Sequence, residues 1–318
     1  PGEAIRAFTL HEGCECPAVS LYVEITPEYD IVSTTSRIES VHIAANLRHD
    51  TLGPVFSAQA ASEGTVDHRY AQELQLLWAF AARLERTRRG DVAETEQRPE
   101  YSFSVEDDRV TITRRPRGTP IDRVVSELMI YANSEWGRQL AASETAAIYR
   151  VQGNGKVRMS AHPSGHEGLG VEQYVWSSSP LRRYVDLLNQ RQLIALIRGE
   201  TPPYRSNSEG LLSVLRDFET AYEIYGEFQR AMERYWCLRW LLQEQVHTVT
   251  ASVLRENLVR FDPLPLVVRV PSLPTLASGI RVELAISDID LLELTFHCEF
   301  HELAEAATET GEAAGQIP

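Results

Sequence analysis

Two adjacent arginines, Arg182 and Arg183, follow a Ser179-Pro180 step and precede a segment with a regular apolar period. Proline suits the first turn of a helix and serine suits the position before it, so the sequence predicts a helix that starts at Pro180. The helix dipole disfavours positive charge in a first turn. The arginines therefore indicate a bound anion, and the guanidinium fork favours phosphate. The alternative is that both side chains are simply solvated.

Composition limits the classes of function that fit the chain. The 318 residues are 43% hydrophobic and carry a formal net charge of −14, which argues against coating of nucleic acid by the whole surface but not against a local basic channel. No stretch approaches the roughly 18 apolar residues of a membrane span. Four cysteines without C-x-x-C spacing favour a reducing, cytoplasmic setting. Because the chain does not begin with Met, we expect it to start inside a longer protein.

Apolar periodicity predicts mixed helices and strands around the arginines. Alternation over 17–44 predicts a β-hairpin, and the Gly- and His-rich stretch 153–172 predicts irregular structure. Several short strands after Val246 predict a small β-barrel. The aromatic stripe over 208–243 is interpreted as core. The remaining elements are helices over 66–88, 120–142 and 180–198, a helix or helix pair over 208–243, and strands over 101–105 and 109–114.

The string from 174 to 191 reads YVWSSSPLRRYVDLLNQR. It resembles the signature of the ribonuclease II (RNB) family of hydrolytic exoribonucleases, roughly Y-x-x-x-T-S-P-I-R-R-Y-x-D-L-x-x-H-R. The departures are Ser178 for Thr, Leu181 for Ile and Gln190 for His. The blocks ELMIYAN at 127–133 and IYRVQ at 148–152 resemble the family's E-x-M-x-x-A-N and A-L-Y-R-V-H.

This resemblance implies an α+β fold, a mixed β-sheet with packed helices followed by a small OB-type β-barrel. Residues 1–245 would be the C-terminal portion of the RNB catalytic domain, and 246–300 an RNA-binding-like barrel. Residues 301–318 form an acidic tail that we expect to be disordered. The implied activity is hydrolysis of single-stranded RNA from the 3′ end to 5′-mononucleotides.

The resemblance also implies catalytic roles for three residues. Arg182 would stabilise charge that develops on the scissile phosphate in the transition state. Glu127 and Glu233 would position the terminal nucleotide or the side chains beside it. Structural alternatives stay open for both glutamates, because Glu127 could instead cap a strand or bind an arginine, and Glu233 could be an ordinary surface charge.

Five further residues are expected to contact RNA. Arg183 and Arg150 would hold backbone phosphates, with Ser179 beside them, and Tyr184 is expected to pack rather than to react. His49 occupies the place of a family tyrosine that stacks on nucleotides at the RNA 3′ end, so the length of the final product is open.

The family holds Mg²⁺ with an aspartate cluster, roughly D-x-x-x-x-x-D-x-D-D, and the sequence contains no such cluster. We therefore expect no metal ligands in this chain, with the Mg²⁺ ligands on an N-terminal segment or a partner chain. Zinc is rejected because His162, His166, His297, Cys298 and His301 lack tetrahedral ligand spacing. The competing hypothesis is a catalytically inactive RNA-binding or scaffolding protein on an RNB body.

Overall fold

The structure is a computed structural model that describes residues 2–90, 99–115 and 118–304. Its helices are α1 (Gly2–Phe8), α2 (His49–Leu52), α3 (Ala58–Glu63), α4 (Ala71–Arg89), α5 (Pro120–Ala142), α6 (Tyr184–Arg198) and α7 (Glu209–Gln243). Its strands are β1 (Glu15–Ile25), β2 (Ile31–His42), β3 (Glu100–Glu106), β4 (Arg109–Arg115), β5 (Tyr149–Gly153), β6 (Lys156–Ser160), β7 (Thr248–Arg255), β8 (Leu258–Phe261), β9 (Val267–Arg269), β10 (Arg281–Asp290) and β11 (Thr295–Leu303).

The chain divides into two compact units. The first takes in the described residues of Pro1–Thr95 and Gly118–Tyr222, and the second those of Glu96–Arg117 and Glu223–Pro318. The β3–β4 hairpin thus groups with the C-terminal strands. The predicted domain boundaries at 245 and 300 stay predictions.

Local sequence signals explain where the main elements of the first unit begin and end. Helix α5 starts at a capping box in which the Thr119 hydroxyl accepts from the Asp122 amide, with Pro120 in the first turn. Helix α6 ends at Arg198 and is followed by Gly199, whose φ of 68° lies in the left-handed region that favours glycine. Strands β1 and β2 pair antiparallel along their length, which confirms the predicted hairpin.

The core of the first unit is formed where α5 and α6 pack against β5 and the segment that follows β6. Tyr149 of β5 bridges to Val175 in antiparallel fashion, so residues 174–176 run beside the β5–β6 hairpin. The arginine pair is therefore anchored to a packed region. The buried residues of this core include Trp136, Leu140, Ile148, Tyr149, Val151, Val175, Val185, Leu188 and Leu193.

The second unit is built on a five-stranded antiparallel sheet of order β11-β10-β7-β8-β9. Alternate side chains of these strands are buried together with residues of β4 and the last turns of α7. The short strands predicted after Val246 are present, and the sheet is the kind found in an OB-type barrel.

The structure corrects four expectations from the sequence. Helix α6 begins at Tyr184 instead of Pro180, because residues 179–183 form a turn before it. The stretch 153–172 is not wholly irregular, since β6 pairs with β5. The aromatic stripe of α7 is only partly core, because Tyr222, Tyr225 and Phe228 are largely exposed.

The fourth correction concerns only the start of the expected tail. Strand β11 runs to Leu303, so the first residues of 301–318 pair with β10, and His301 lies in this strand. Residues 305–318 lie outside the described part of the chain. Within the described ranges, no helix combines the length and apolar character that a membrane crossing needs.

Candidate functional site

A buried carboxylate shapes the turn that carries the two arginines. Asp186, in the first turn of α6, has no exposed surface. Its Oδ1 accepts from the Ser179 amide at 2.8 Å and from Nη2 of Arg183 at 2.7 Å. The Arg183 amide donates to the Ser179 carbonyl at 3.1 Å and closes the turn. Asp186 therefore fixes both the backbone at Ser179 and the direction of the Arg183 side chain.

Buried amide side chains hold the segment that leads into this turn. Asn133 Oδ1 accepts from the Ser177 amide at 3.1 Å and from its hydroxyl at 2.7 Å. Asn189 bonds both the amide and the carbonyl of Ile148, and it also donates to the Trp176 carbonyl. These contacts lock residues 176–177 between α5 and α6, so the turn that follows is positioned on a rigid support.

Gln190, which replaces the histidine of the family signature, also supports the turn. Its Nε2 donates to the Ser177 carbonyl at 2.7 Å. Gln190 therefore supplies a nitrogen donor at this position, and the imidazole N–H of a histidine can donate the same hydrogen bond. The departure from the signature therefore does not remove the support.

The indole of Trp176 contacts two guanidiniums. Cζ of Arg183 lies 4.0 Å from the ring centroid, and Cζ of Arg150 on β5 lies 4.7 Å from it. Both distances fall in the range of cation–π contact. Sequence reasoning assigned Arg150 and Arg183 to RNA phosphates but missed Trp176, because an aromatic residue before a serine run carries no recognisable signal.

Arg150 has an unusual electrostatic position. Burial lowers the pKa of its guanidinium, and the charge of Arg183 lowers that pKa further. Within residues 2–90, 99–115 and 118–304, no carboxylate lies within ion-pair distance of it. A partly buried cation without a carboxylate partner is a favourable place for an anion.

Arg182 differs from its neighbour because it is exposed. Its described contact is a long one, from Nη2 to the Ser179 hydroxyl at 3.4 Å. In the part of the chain that the structure describes, it forms no ion pair. Arg183 is thus fixed by protein groups, while the Arg182 guanidinium keeps its donors for a ligand.

Four buried polar atoms in this region lack a hydrogen-bond partner among the described residues. They are Asn133 Nδ2, His166 Nε2, Arg183 Nε and Asp186 Oδ2. Their residues contact the same segment, since Asn133 binds Ser177 and the ring of His166 meets Tyr174 edge-on at 5.9 Å. Buried polar atoms rarely stay unsatisfied, so these atoms are available to a water molecule or to a polar ligand.

Glu127 lies in a buried ion pair with Arg88. Both carboxylate oxygens accept from this guanidinium, which also donates to the Leu169 carbonyl. Glu127 thus binds an arginine, as one of the structural alternatives predicted, and its role in positioning RNA stays a prediction. The pair lines a cavity of about 410 Å³ together with Tyr29 and Tyr131.

The other predicted residues are dispersed. His49, at the start of α2, lies 3.4 Å from Oδ1 of Asp122. Glu233 belongs to the second unit, where it accepts from Nε2 of Gln229 at 3.0 Å. Tyr184 is 50% exposed, and its hydroxyl lies 3.4 Å from that of Tyr204; its role at the site stays a prediction.

The carboxylates of this site do not fit a magnesium ion. Asp186 and Glu127 are both committed to arginines. Among the described residues, one group of possible metal ligands has its ligand atoms within 4.8 Å of one another. It consists of Glu283, His301 and Glu302 on the sheet of the second unit, and two of the three residues are exposed. Mg²⁺ needs several hard oxygen donors, and of the four oxygens of Asp186 and Glu127 only Asp186 Oδ2 has no partner among the described residues, which is too few.

Comparison with known proteins gives the family. The family model described as "RNB domain" matches residues 1–159 and 154–199. An uncharacterized ribonuclease of Synechocystis sp. is 34% identical over 107 residues, 33% of this chain and 15% of that protein. Exoribonuclease 2 of Aeromonas hydrophila is 43% identical over 63 residues, 18% of this chain and 9% of that protein. The matches thus span a small part of these relatives' length.

Solved structures show the same fold at low identity. Mycoplasma genitalium RNase R, in complex with ribose methylated single-stranded RNA, superposes with a TM-score of 0.73 at 14% identity over 92% of this chain and 59% of that chain. Yeast Ssd1, described as a pseudonuclease, superposes with a TM-score of 0.66 at 16% identity over 90% of this chain and 43% of that chain. These likenesses confirm the predicted α+β fold with its OB-type barrel. Since the family model covers more than half of the sequence, the chain belongs to the RNB domain family.

Proposed function

We propose that this chain is the RNA-binding part of an RNB exoribonuclease that degrades single-stranded RNA from the 3′ end to 5′-mononucleotides. The observation that carries the proposal is the turn at 179–183. There one arginine is fixed by Asp186 and Trp176, while its exposed neighbour, Arg182, has only a long contact to the Ser179 hydroxyl among the described residues. A fixed cation beside a free one can orient a phosphodiester and still respond to charge that develops on it.

Within this function Arg182 contacts the scissile phosphate, and Arg183 and Arg150 hold backbone phosphates. Ser179 and Tyr184 flank them on the turn and at the start of α6. His49 stacks on a base near the 3′ end, and Glu127 and Glu233 position the terminal nucleotide through their neighbours. The pairing of Glu127 with Arg88 favours such an indirect role.

We place the Mg²⁺ ligands outside this chain, on an N-terminal segment or a partner chain, because the carboxylates near the arginines are already bound. Single-stranded RNA as the substrate draws support from Mycoplasma genitalium RNase R, which shares the fold and was solved with a ribose methylated single-stranded RNA. A cytoplasmic location is also proposed, and the four cysteines, all unpaired in the structure, fit a reducing compartment.

A second candidate is a catalytically inactive RNA-binding or scaffolding protein. Two observations favour it: the carboxylates of the site do not fit Mg²⁺, and yeast Ssd1, a pseudonuclease, has the same fold. In that case the arginines bind phosphate and no bond is broken.

A cleavage assay separates the two candidates. The intact protein that carries this chain is incubated with Mg²⁺ and a 5′-labelled single-stranded RNA, and with the same RNA carrying a blocked 3′ end. The nuclease proposal expects a ladder that shortens from the 3′ end and release of 5′-mononucleotides. Tight binding without any shortening would establish the second candidate, and cleavage of the blocked RNA would contradict the 3′-to-5′ direction.

A further inference from the structure

Three aromatic rings form a cluster beside the guanidiniums of Arg150 and Arg183. Trp176 meets Phe218 at 6.4 Å and Tyr222 at 5.7 Å, both edge-on. Phe218 and Tyr222 are stacked at 5.5 Å with an interplanar angle of 22°. Tyr222 is nevertheless 48% exposed. It therefore presents a supported ring to solvent next to Trp176.

The guanidinium of Arg150 lies beside the Tyr222 ring and has no carboxylate partner in the described part of the chain. Arg150 contacts the same indole as Tyr222, and the Tyr222 phenol partly offsets the fall in the pKa of Arg150 that burial causes. A half-exposed aromatic side chain next to a cation of this kind provides the two groups that a single-stranded nucleotide needs, one for its base and one for its phosphate.

We propose that the ring of Tyr222 stacks on a nucleobase of bound single-stranded RNA, one whose backbone phosphate contacts Arg150. The inference rests on the proposed RNA-binding function and assigns to α7 a base contact that neither the family signature nor the proposed roles of the arginines require. Because every base has a π face, the contact is tolerant of sequence.

A second exposed tyrosine of the same unit provides a matched control. Tyr22 on β1 is 46% exposed, and Cζ of Arg37 lies 4.4 Å from its ring centroid. Its hydroxyl, however, donates to the Glu39 carboxylate at 2.9 Å. Since a carboxylate repels phosphate, this tyrosine–arginine pair is not expected to bind RNA.

The test uses the intact protein in EDTA and a set of single-stranded RNAs, each with one abasic nucleotide at a successive position. Fluorescence anisotropy gives the affinity for each. For the unmodified protein we expect one position, at a fixed distance from the 3′ end, at which loss of the base weakens binding about tenfold. Tyr222→Leu should weaken binding of complete RNA by a similar factor and abolish the extra loss at that position. Tyr222→Phe and Tyr22→Leu should leave the profile unchanged.

Each outcome decides the inference. If Tyr222→Leu keeps the same positional loss, the stacking contact is wrong although the proposed function stands; if the unmodified protein does not bind RNA, both fail. A measurement on the unmodified protein removes any dependence on the variant's folding. RNA with 4-thiouridine at the sensitive position should crosslink to the peptide that contains Tyr222, and crosslinking only to other peptides would overturn the inference.

Discussion

At the scale of single residues, His166 is expected to make the stability of the site region depend on pH. It is buried, its Nδ1 accepts from the Leu169 amide at 3.3 Å, and its Nε2 has no partner among the described residues. Burial, and then the positive charge of Arg150, lower the pKa of His166 below its ordinary value of 6.5. The folded state thus favours the neutral imidazole, whereas the unfolded chain binds the proton more readily.

The consequence is a loss of stability on the acid side. Because the folded pKa is lower than the unfolded one, the contribution of His166 to the free energy of unfolding is most favourable above pH 6.5 and becomes less favourable as the pH decreases below it. His166→Asn keeps an acceptor for the Leu169 amide and cannot titrate, so it should lose less stability than the parent between about pH 8 and pH 5. Urea unfolding at a series of pH values checks this. Parallel curves for the two proteins would show that His166 does not cause the acid loss.

At the scale of elements, the turn before α6 shows what the sequence could and could not predict. Hairpin β1–β2 and helices α4 and α5 follow from alternation, apolar period and the capping box at Thr119, which are all local signals. The start of α6 does not, because Asp186 reaches back seven residues to bind the Ser179 amide and folds 179–183 as a turn. Proline and serine alone favour a helix there, and a buried tertiary bond overrides them.

The same limit applies to the site. The family signature and the block at 148–152 predict roles for Arg182, Arg183 and Arg150, which the structure places on one turn and one neighbouring strand. It did not identify Trp176, Asn133 as a support for Ser177, or the buried pair of Arg88 and Glu127. The last two contacts join residues about 40 positions apart, so no local pattern predicts them. The prediction that the aromatic stripe of α7 is core is only partly right, because the spacing of aromatic residues along a helix carries no information on what covers them.

Removal of the Asp186 carboxylate should destabilise the first unit. Asp186→Ala leaves the Ser179 amide without its acceptor and Arg183, whose side chain is 14% exposed, without its partner. Breaking a buried pair in this way costs about 3 kcal/mol of unfolding free energy. The control is Asp217→Ala, an exposed aspartate beside Arg216, which should change stability by less than about 0.5 kcal/mol. Equal effects in urea unfolding would contradict the structural role of Asp186.

At the scale of the whole molecule, the net charge of −14 makes RNA binding depend on a few positioned cations. Each phosphate neutralised on a single strand contributes about 0.7 to the slope of log affinity against log salt concentration. Because Arg150 is expected to contact one phosphate, Arg150→Ala should reduce the slope of log affinity against log salt concentration by about 0.7.

The control for the salt experiment is an arginine away from the turn. Arg198 lies exposed at the end of α6, and Arg198→Ala should leave the slope as it is. Filter binding over a range of salt concentrations measures both variants. A slope that stays constant in Arg150→Ala would show that this side chain does not contact a phosphate.

The most direct test of the central claim compares chemistry with binding in Arg182→Lys of the intact protein. Lysine keeps the positive charge but loses the planar fork, so ground-state binding of phosphate largely persists while stabilisation of the transition state is lost. We predict that single-turnover cleavage falls about 100-fold while RNA affinity, measured by filter binding, changes less than about threefold. If cleavage and affinity fall by the same factor, Arg182 is only one of several backbone contacts and does not act on the scissile phosphate.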